Sequence, residues 1–199
     1  MNLQSNDFEL FDVPVQFAQD SAVLDARWKD LQREAHPDKF AAQGAAAQRL
    51  AMQWSVRINE AYQRLKDPLK RATYLCELHA APIQAETNTA MPADFLMQQM
   101  EWREALDDAE TLQSIEEISL QLNRTEREQL SKLEQMIDAQ KDFVAASGQV
   151  RSLMFTQRFA GEIDARIDRL GQSLLKKNQT WHSSKYPNQV KLPIRMTGA

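Results

Sequence analysis

The chain has 199 residues, of which 26% are charged and 43% hydrophobic, with a net charge of -4. This is the profile of a soluble globular protein with room for one large domain or two small ones, and its acidic balance argues against a general nucleic-acid binder. Five glycines and seven prolines argue against a strand-and-turn architecture, while the dominant Ala, Gln, Glu, Leu and Arg favour helix, so an all-α fold is expected.

Met1 to Leu10 carries acidic residues and no long apolar run, so no signal peptide is expected there. Phe8, Leu10, Phe11, Val13, Val15 and Phe17 mark a short helical segment over 8–18, interrupted by Pro14. Asp20 or Ser21 then caps a helix whose apolar positions, Leu24, Trp28, Leu31 and Ala35, recur at helical spacing. Its other face carries Arg27, Lys29, Asp30, Arg33 and Glu34. His36-Pro37-Asp38-Lys39-Phe40 follows. Pro37 disfavours helical geometry at His36, and the Asp38 side chain can bond nearby backbone amides, so a turn is expected. After an alanine-rich stretch containing Gly44, a second long helix places Leu50, Trp54, Ile58, Ala61 and Leu65 on one face, completing an αα-hairpin. Asp67-Pro68 starts a shorter helix, with Asp as cap and Pro at the first position. Leu69, Ala72, Leu75 and Leu78 mark it, and it ends near His79.

Residues 80–91 have no periodicity and are the expected linker between two domains. Pro92 opens a helix to about Ala109. Two longer helices follow, marked by Leu112, Ile115, Ile118, Leu122, Leu130, Leu133 and Ile137, and by Phe143, Val150, Leu153, Phe159, Ile163, Ile167, Leu170 and Leu174. The turn between them is expected near Asp138–Lys141. The predicted organisation is thus a hairpin domain over 1–79, a linker over 80–91, a three-helix bundle over 92–177 and a loose tail over 178–199, where Pro187 and Pro193 lie.

A His-Pro-Asp tip between a helix with a basic outer face and a second long helix, with Trp28 and Trp54 inside the pair, resembles the J-domain. The run HPDKF, the alanine-rich stretch, INEAYQRLKDPLKRATYLCELH at 58–79 and DFLMQQMEWREALDD at 94–108 is further similar to the HscB family, the J-protein co-chaperones of iron–sulfur cluster biogenesis. The Gly/Phe-rich linker and cysteine zinc modules of general-purpose J-proteins are missing, as is the N-terminal cysteine metal motif of some HscB relatives. The resemblance implies docking on an HscA-like, DnaK-type ATPase chaperone and stimulation of its ATP hydrolysis. Arg27, Lys29, Arg33, His36, Pro37, Asp38 and Lys39 are the expected chaperone-binding residues. Hydrolysis would occur in the partner, so this chain is not expected to be an enzyme.

The helix from Pro92 carries two stripes. Phe95, Trp102, Leu106 and Ala109 suit a bundle core. Leu96, Met97, Met100, Glu101, Glu104 and Asp108 lie on nearly the opposite face. An exposed Leu/Met patch marks a partner surface; the alternative is that it packs on the hairpin domain or on the third helix. The HscB resemblance implies that this face holds an IscU-like iron–sulfur scaffold protein. The matching positions are Leu96, Met97, Met100, Glu101, Arg103, Glu104 and Asp108, joined by Phe155 from the last helix.

Cys76 is the only cysteine, which excludes an internal disulfide and a cysteine-based zinc site, and the three histidines have no metal-ligand spacing. No metal, cofactor or catalytic residue is expected, since nothing completes a His–Asp pair into a site. No apolar stretch is long enough to span a bilayer, so no membrane partner and a cytoplasmic location are expected. The alternative function is a helical nucleic-acid or regulatory binding module using the basic hairpin face, which would bind with steep salt dependence.

Overall fold

The computed structural model describes residues 5–84 and 93–185, and among these there is no strand. The first helix, α1 (Asp7–Phe11), opens on a reciprocal cap: Asn6 Oδ1 accepts from the Glu9 amide at 2.9 Å, and the Glu9 carboxylate accepts from the Asn6 amide at 3.2 Å. It is shorter than the expected 8–18 segment. Asp12 takes a left-handed conformation at φ 53°, the Val13 amide donates back to the Phe8 carbonyl at 3.0 Å, and Pro14 disfavours helical geometry at Val13.

Helix α2 (Ser21–Glu34) begins at Asp20, whose carboxylate accepts from the Ala22 amide at 2.8 Å. It packs antiparallel on α3 (Ala45–Lys66), burying Leu24 and half-burying Trp28 and Leu31. The seam is also polar. The Trp28 indole and the Gln32 amide both donate to Asn59 Oδ1, at 2.9 and 2.7 Å, and the Tyr62 hydroxyl donates to Asp25 at 2.6 Å. The Tyr62 hydroxyl, and after it the Lys66 ammonium, hold the Asp25 carboxyl below the usual carboxylate range. Along α3 the core takes Ile58, Ala61 and Leu65, but Ala51 replaces the expected Leu50, which is 48% exposed. Leu50 lies about 80° around the helix from Ile58 at 3.6 residues per turn, outside the buried arc.

The α1 segment carries a charge where the sequence pattern predicted only apolar packing. Asp7 is fully buried; its Oδ2 accepts from Arg64 at 2.8 Å, while Arg57 lies 2.6 Å from Oδ1 without hydrogen-bond alignment. The Asp7 amide donates to the Tyr74 hydroxyl at 3.0 Å, so this one residue ties α1 to both α3 and α4 (Pro68–Leu78). Removing the charge from a buried pair leaves its partners uncompensated. Asp7→Asn is therefore expected to cost about 2–3 kcal/mol of stability, read as a lower urea midpoint; an unchanged midpoint would mean the arginines are fully solvated.

Helix α4 starts as predicted, with Asp67 accepting from the Lys70 amide at 3.1 Å and Pro68 at its first position. It ends in a paired turn: Ala80 is left-handed at φ 56°, its amide donates to Glu77, and the Ala81 amide donates to the Cys76 carbonyl at 2.9 Å. This folds the start of the expected linker back into the core, where Ala81 and Ile83 are buried. The rest of that segment, 85–91, lies outside the described residues, as does Pro92.

The expected two-domain organisation is closely packed around that point. Leu133 and Ile137, at the end of α6 (Leu112–Glu134) and the π-helical turn after it, join one core with Phe8, Phe11, Ile58 and Leu75, as do Val150 and Leu153 of α7 (Phe143–Lys185). The Phe17 and Ala18 amides donate to Asp138 at 2.6 and 2.8 Å, and His79 stacks on Phe143. A second core, farther along the bundle, holds Phe95, Trp102, Ile115, Leu122, Phe159 and Ile163. The α6–α7 reversal falls where predicted, with Lys141 left-handed at φ 57°. The predicted tail is corrected at its start: α7 continues through 178–185, a stretch with no Gly or Pro, before Pro187. Residues 186–199 lie outside the described residues.

Candidate docking surfaces

The tip between α2 and α3 is a 3-10 winding, Pro37–Gln43, rather than a simple turn. His36 precedes it in extended geometry, as the following proline requires. The cap is made by His36, not Asp38: its Nδ1 accepts from the Asp38 amide at 3.3 Å. The Asp38 carboxylate lies 3.6 Å from the same nitrogen. Both side chains face solvent, at 56% and 90% exposure, so the imidazole and carboxylate are held side by side with little else committed to them. Gly44, at φ 92°, closes the tip and leads into α3; a side chain there would be strained.

The seven residues expected at this site do not form one basic face. Lys29 and Arg33 lie on the outer side of α2, but Arg33 pairs with Asp30 at 3.1 Å. Arg27 lies on another side of the helix. Its Nε–H donates to the Phe11 carbonyl at 2.8 Å and its guanidinium pairs with Asp12 at 2.5 Å, so it fastens α1 to α2. Lys29 and Lys39 are exposed and form no ion pair among the described residues. The positive bias expected there is thus carried by Lys29 on α2, Lys39 in the tip and a half-neutralised Arg33, and the alternative nucleic-acid reading loses the Arg27 charge it counted.

On α5 (Ala93–Asp108) the two stripes separate as the spacing predicts. Phe95 and Trp102 are buried. Phe95 meets Trp102 and Phe155 edge-on, and Trp102 and Phe155 both stack on Phe159 of α7. The opposite face stays open: Leu96, Met97 and Met100 are 44, 64 and 71% exposed, and Glu101, Glu104 and Asp108 are exposed too. The stripe packs on neither the hairpin nor the third helix. Phe155 is half-buried, and the Arg103 guanidinium lies 5.6 Å from its ring centre. These residues therefore form one surface in which an apolar centre is flanked by carboxylates and by an arginine resting on an aromatic ring.

Cys76 takes no part in either surface. It is fully buried, and burial pushes its thiol up to about 11. No group of three His, Cys, Asp or Glu side chains suited to a metal occurs among the described residues, and no helix there is long and apolar enough to cross a membrane.

Comparison with known proteins agrees with this architecture. Residues 91–179 match the family model described as the HSCB C-terminal oligomerisation domain. The co-chaperone protein HscB homolog of Burkholderia thailandensis is 49% identical over 173 residues, covering 85% of this chain and 98% of that protein. Among solved structures, chaperone HscB from Vibrio cholerae superposes with a TM-score of 0.72 at 34% identity, over 83% of this chain and 99% of that one. Human co-chaperone protein HscB gives a TM-score of 0.78 at 28% identity, over 83% of this chain and 84% of that one. An all-α chain with a J-domain-like tip, a helical bundle and relatives of this kind is a co-chaperone by class. It belongs to the HscB family.

Proposed function

We propose that the chain stimulates the ATPase of an HscA-like, DnaK-type chaperone through its tip and brings an IscU-like iron–sulfur scaffold protein to it on α5, in support of iron–sulfur protein maturation. The observation that carries this reading is the exposure of Leu96, Met97 and Met100 on a helix whose other face packs into the bundle core. Apolar side chains left in water at helical spacing have a partner to meet. The uncommitted His36–Asp38 pair supports the other half. No step of hydrolysis is assigned to this chain; Arg27, Lys29, Arg33, His36, Pro37, Asp38 and Lys39 meet the chaperone, Arg27 also holding α1 to α2 through Asp12 and the Phe11 carbonyl.

The working division is the one expected from the sequence, a tip module over 1–79 and a bundle over 92–177. Their shared core supports a fixed relation between the two surfaces. A chain that holds both partners at once converts the second encounter into an intramolecular one and raises the effective concentration of scaffold at the chaperone. The test is a steady-state ATPase assay of the cognate chaperone with this protein, the scaffold protein, and both. More than additive stimulation is expected with both present. Additive rates, or none, would remove the adaptor role.

A further inference from the structure

The two modules share an apolar core, but apolar contact is non-directional and does not by itself fix their angle. Directional bonds do, and one carboxylate makes two of them at this joint. Asp138, half-buried in the π-helical turn Gln135–Gln140, accepts from the Phe17 amide at 2.6 Å through Oδ1 and from the Ala18 amide at 2.8 Å through Oδ2. The partners are 121 and 120 residues apart in sequence, so no local cap or turn asks for this pairing. Each oxygen meets its own donor, a forked arrangement that holds orientation as well as place. π-Helical turns are rare and recur at functional positions. Phe17 is itself 5% exposed, and the buried Arg71 guanidinium lies 5.0 Å from its ring centre. Asp138 and Asp67 are the carboxylates whose charge acts on that guanidinium, so a neutral amide at 138 is not equivalent.

The place of the grip decides its consequence. Ala18 lies two residues before Asp20, the cap of α2, and α2 carries the tip at its far end. A helix of 14 residues is about 21 Å long. A rotation of about 15° at its root therefore carries the tip about 5 Å. Two other contacts cross the joint, Arg151 donating to the Ile83 carbonyl at 3.0 Å and His79 stacked on Phe143. Both involve residues just after α4, where the chain already leads on toward the bundle. Asp138 instead grips the root of the helix that presents the tip. We propose that Asp138 is a positioning residue: it sets the angle between the tip and the α5 surface, so that one chain meets both partners at once. This rests on the adaptor reading, and Asp138 belongs to neither docking surface.

The test pairs a distance measurement with the ATPase assay, both on the full chain. Spin labels at Arg49→Cys on α3 and Leu120→Cys on α6 report the angle between the modules; both positions are exposed, and Cys76 is buried. The parent is expected to give one narrow distance distribution. Asp138→Asn offers one acceptor to two donors and is expected to widen that distribution about twofold and to lower the enhancement of stimulation by scaffold about threefold. Its basal stimulation and scaffold affinity should equal the parent's. Ala18→Pro removes one donor from the other side of the clamp, leaves the bundle untouched and should act alike. Asp7→Asn loosens α1 from α3 and α4 and should leave both distance and enhancement unchanged; if it reproduces the loss, the effect is one of stability and the positioning role is refuted. Narrow distributions in both clamp variants, or broad ones with full enhancement, also refute it. If the parent itself shows no enhancement while the clamp variants broaden the distances, the adaptor reading fails and Asp138 is a structural clamp only.

Discussion

Replacing Leu96, Met97 and Met100 together by alanine is expected to abolish scaffold binding while leaving basal stimulation of the chaperone ATPase intact. The three side chains are 44, 64 and 71% exposed, so little of the fold depends on them. Exposed positions away from caps and cores change stability by about 0.5 kcal/mol or less each, and alanine is the best helix former. Folding of α5 rests instead on Phe95 and Trp102 against Phe155 and Phe159. Binding is another matter. Few residues carry most of an interface's free energy, and central apolar anchors are worth about 1–2 kcal/mol each when truncated. Three lost anchors give a loss of about 3–5 kcal/mol, enough to move a micromolar complex beyond detection. Calorimetry with the scaffold protein reads the loss, circular dichroism confirms α5, and the ATPase assay without scaffold reads the untouched tip. Undiminished binding would reject the α5 surface. Loss of basal stimulation with helicity intact would show that the two surfaces are not separable.

Local signals account for most of what was legible in the sequence. The caps at Asp20 and Asp67-Pro68 fall where side chain and backbone within one turn decide the matter, and the two stripes of α5 follow from helical spacing alone. What the sequence did not show shares another cause, which is distance along the chain. Asp7 is buried because Arg57 and Arg64 reach it, and nothing near Asp7 announces them. Arg27 sits among the expected docking cations by sequence, yet Asp12 and the Phe11 carbonyl occupy it. Residues 80–84 lack periodicity, but the left-handed turn at Ala80 delivers Ala81 and Ile83 into a core that α6 and α7 complete. Gln129 has the same character: on α6 it is one polar residue among many, and only the packed bundle buries it.

The second large effect is expected at the tip. His36→Gln should reduce chaperone ATPase stimulation to the unstimulated rate while scaffold binding stays at the parent's value. The imidazole is 56% exposed, and its one fold-supporting contact is the 3.3 Å bond from the Asp38 amide. A cap of this kind is worth about 1 kcal/mol, and the glutamine carbonyl oxygen can accept the same amide. The 3-10 winding has independent support in Pro37, in the Lys39 amide bond to the His36 carbonyl at 3.0 Å, and in Gly44. What the substitution removes is the ring beside the Asp38 carboxylate. That pair is presented at a tip with neither side chain committed elsewhere, so its loss falls on the partner contact. Lys29→Glu provides the contrast: reversing one exposed cation should slow association and flatten its salt dependence, without reducing stimulation at saturating concentration. Normal stimulation by His36→Gln would remove the tip from the mechanism, whereas a loss that saturating protein restores would make it an affinity contact and not a trigger.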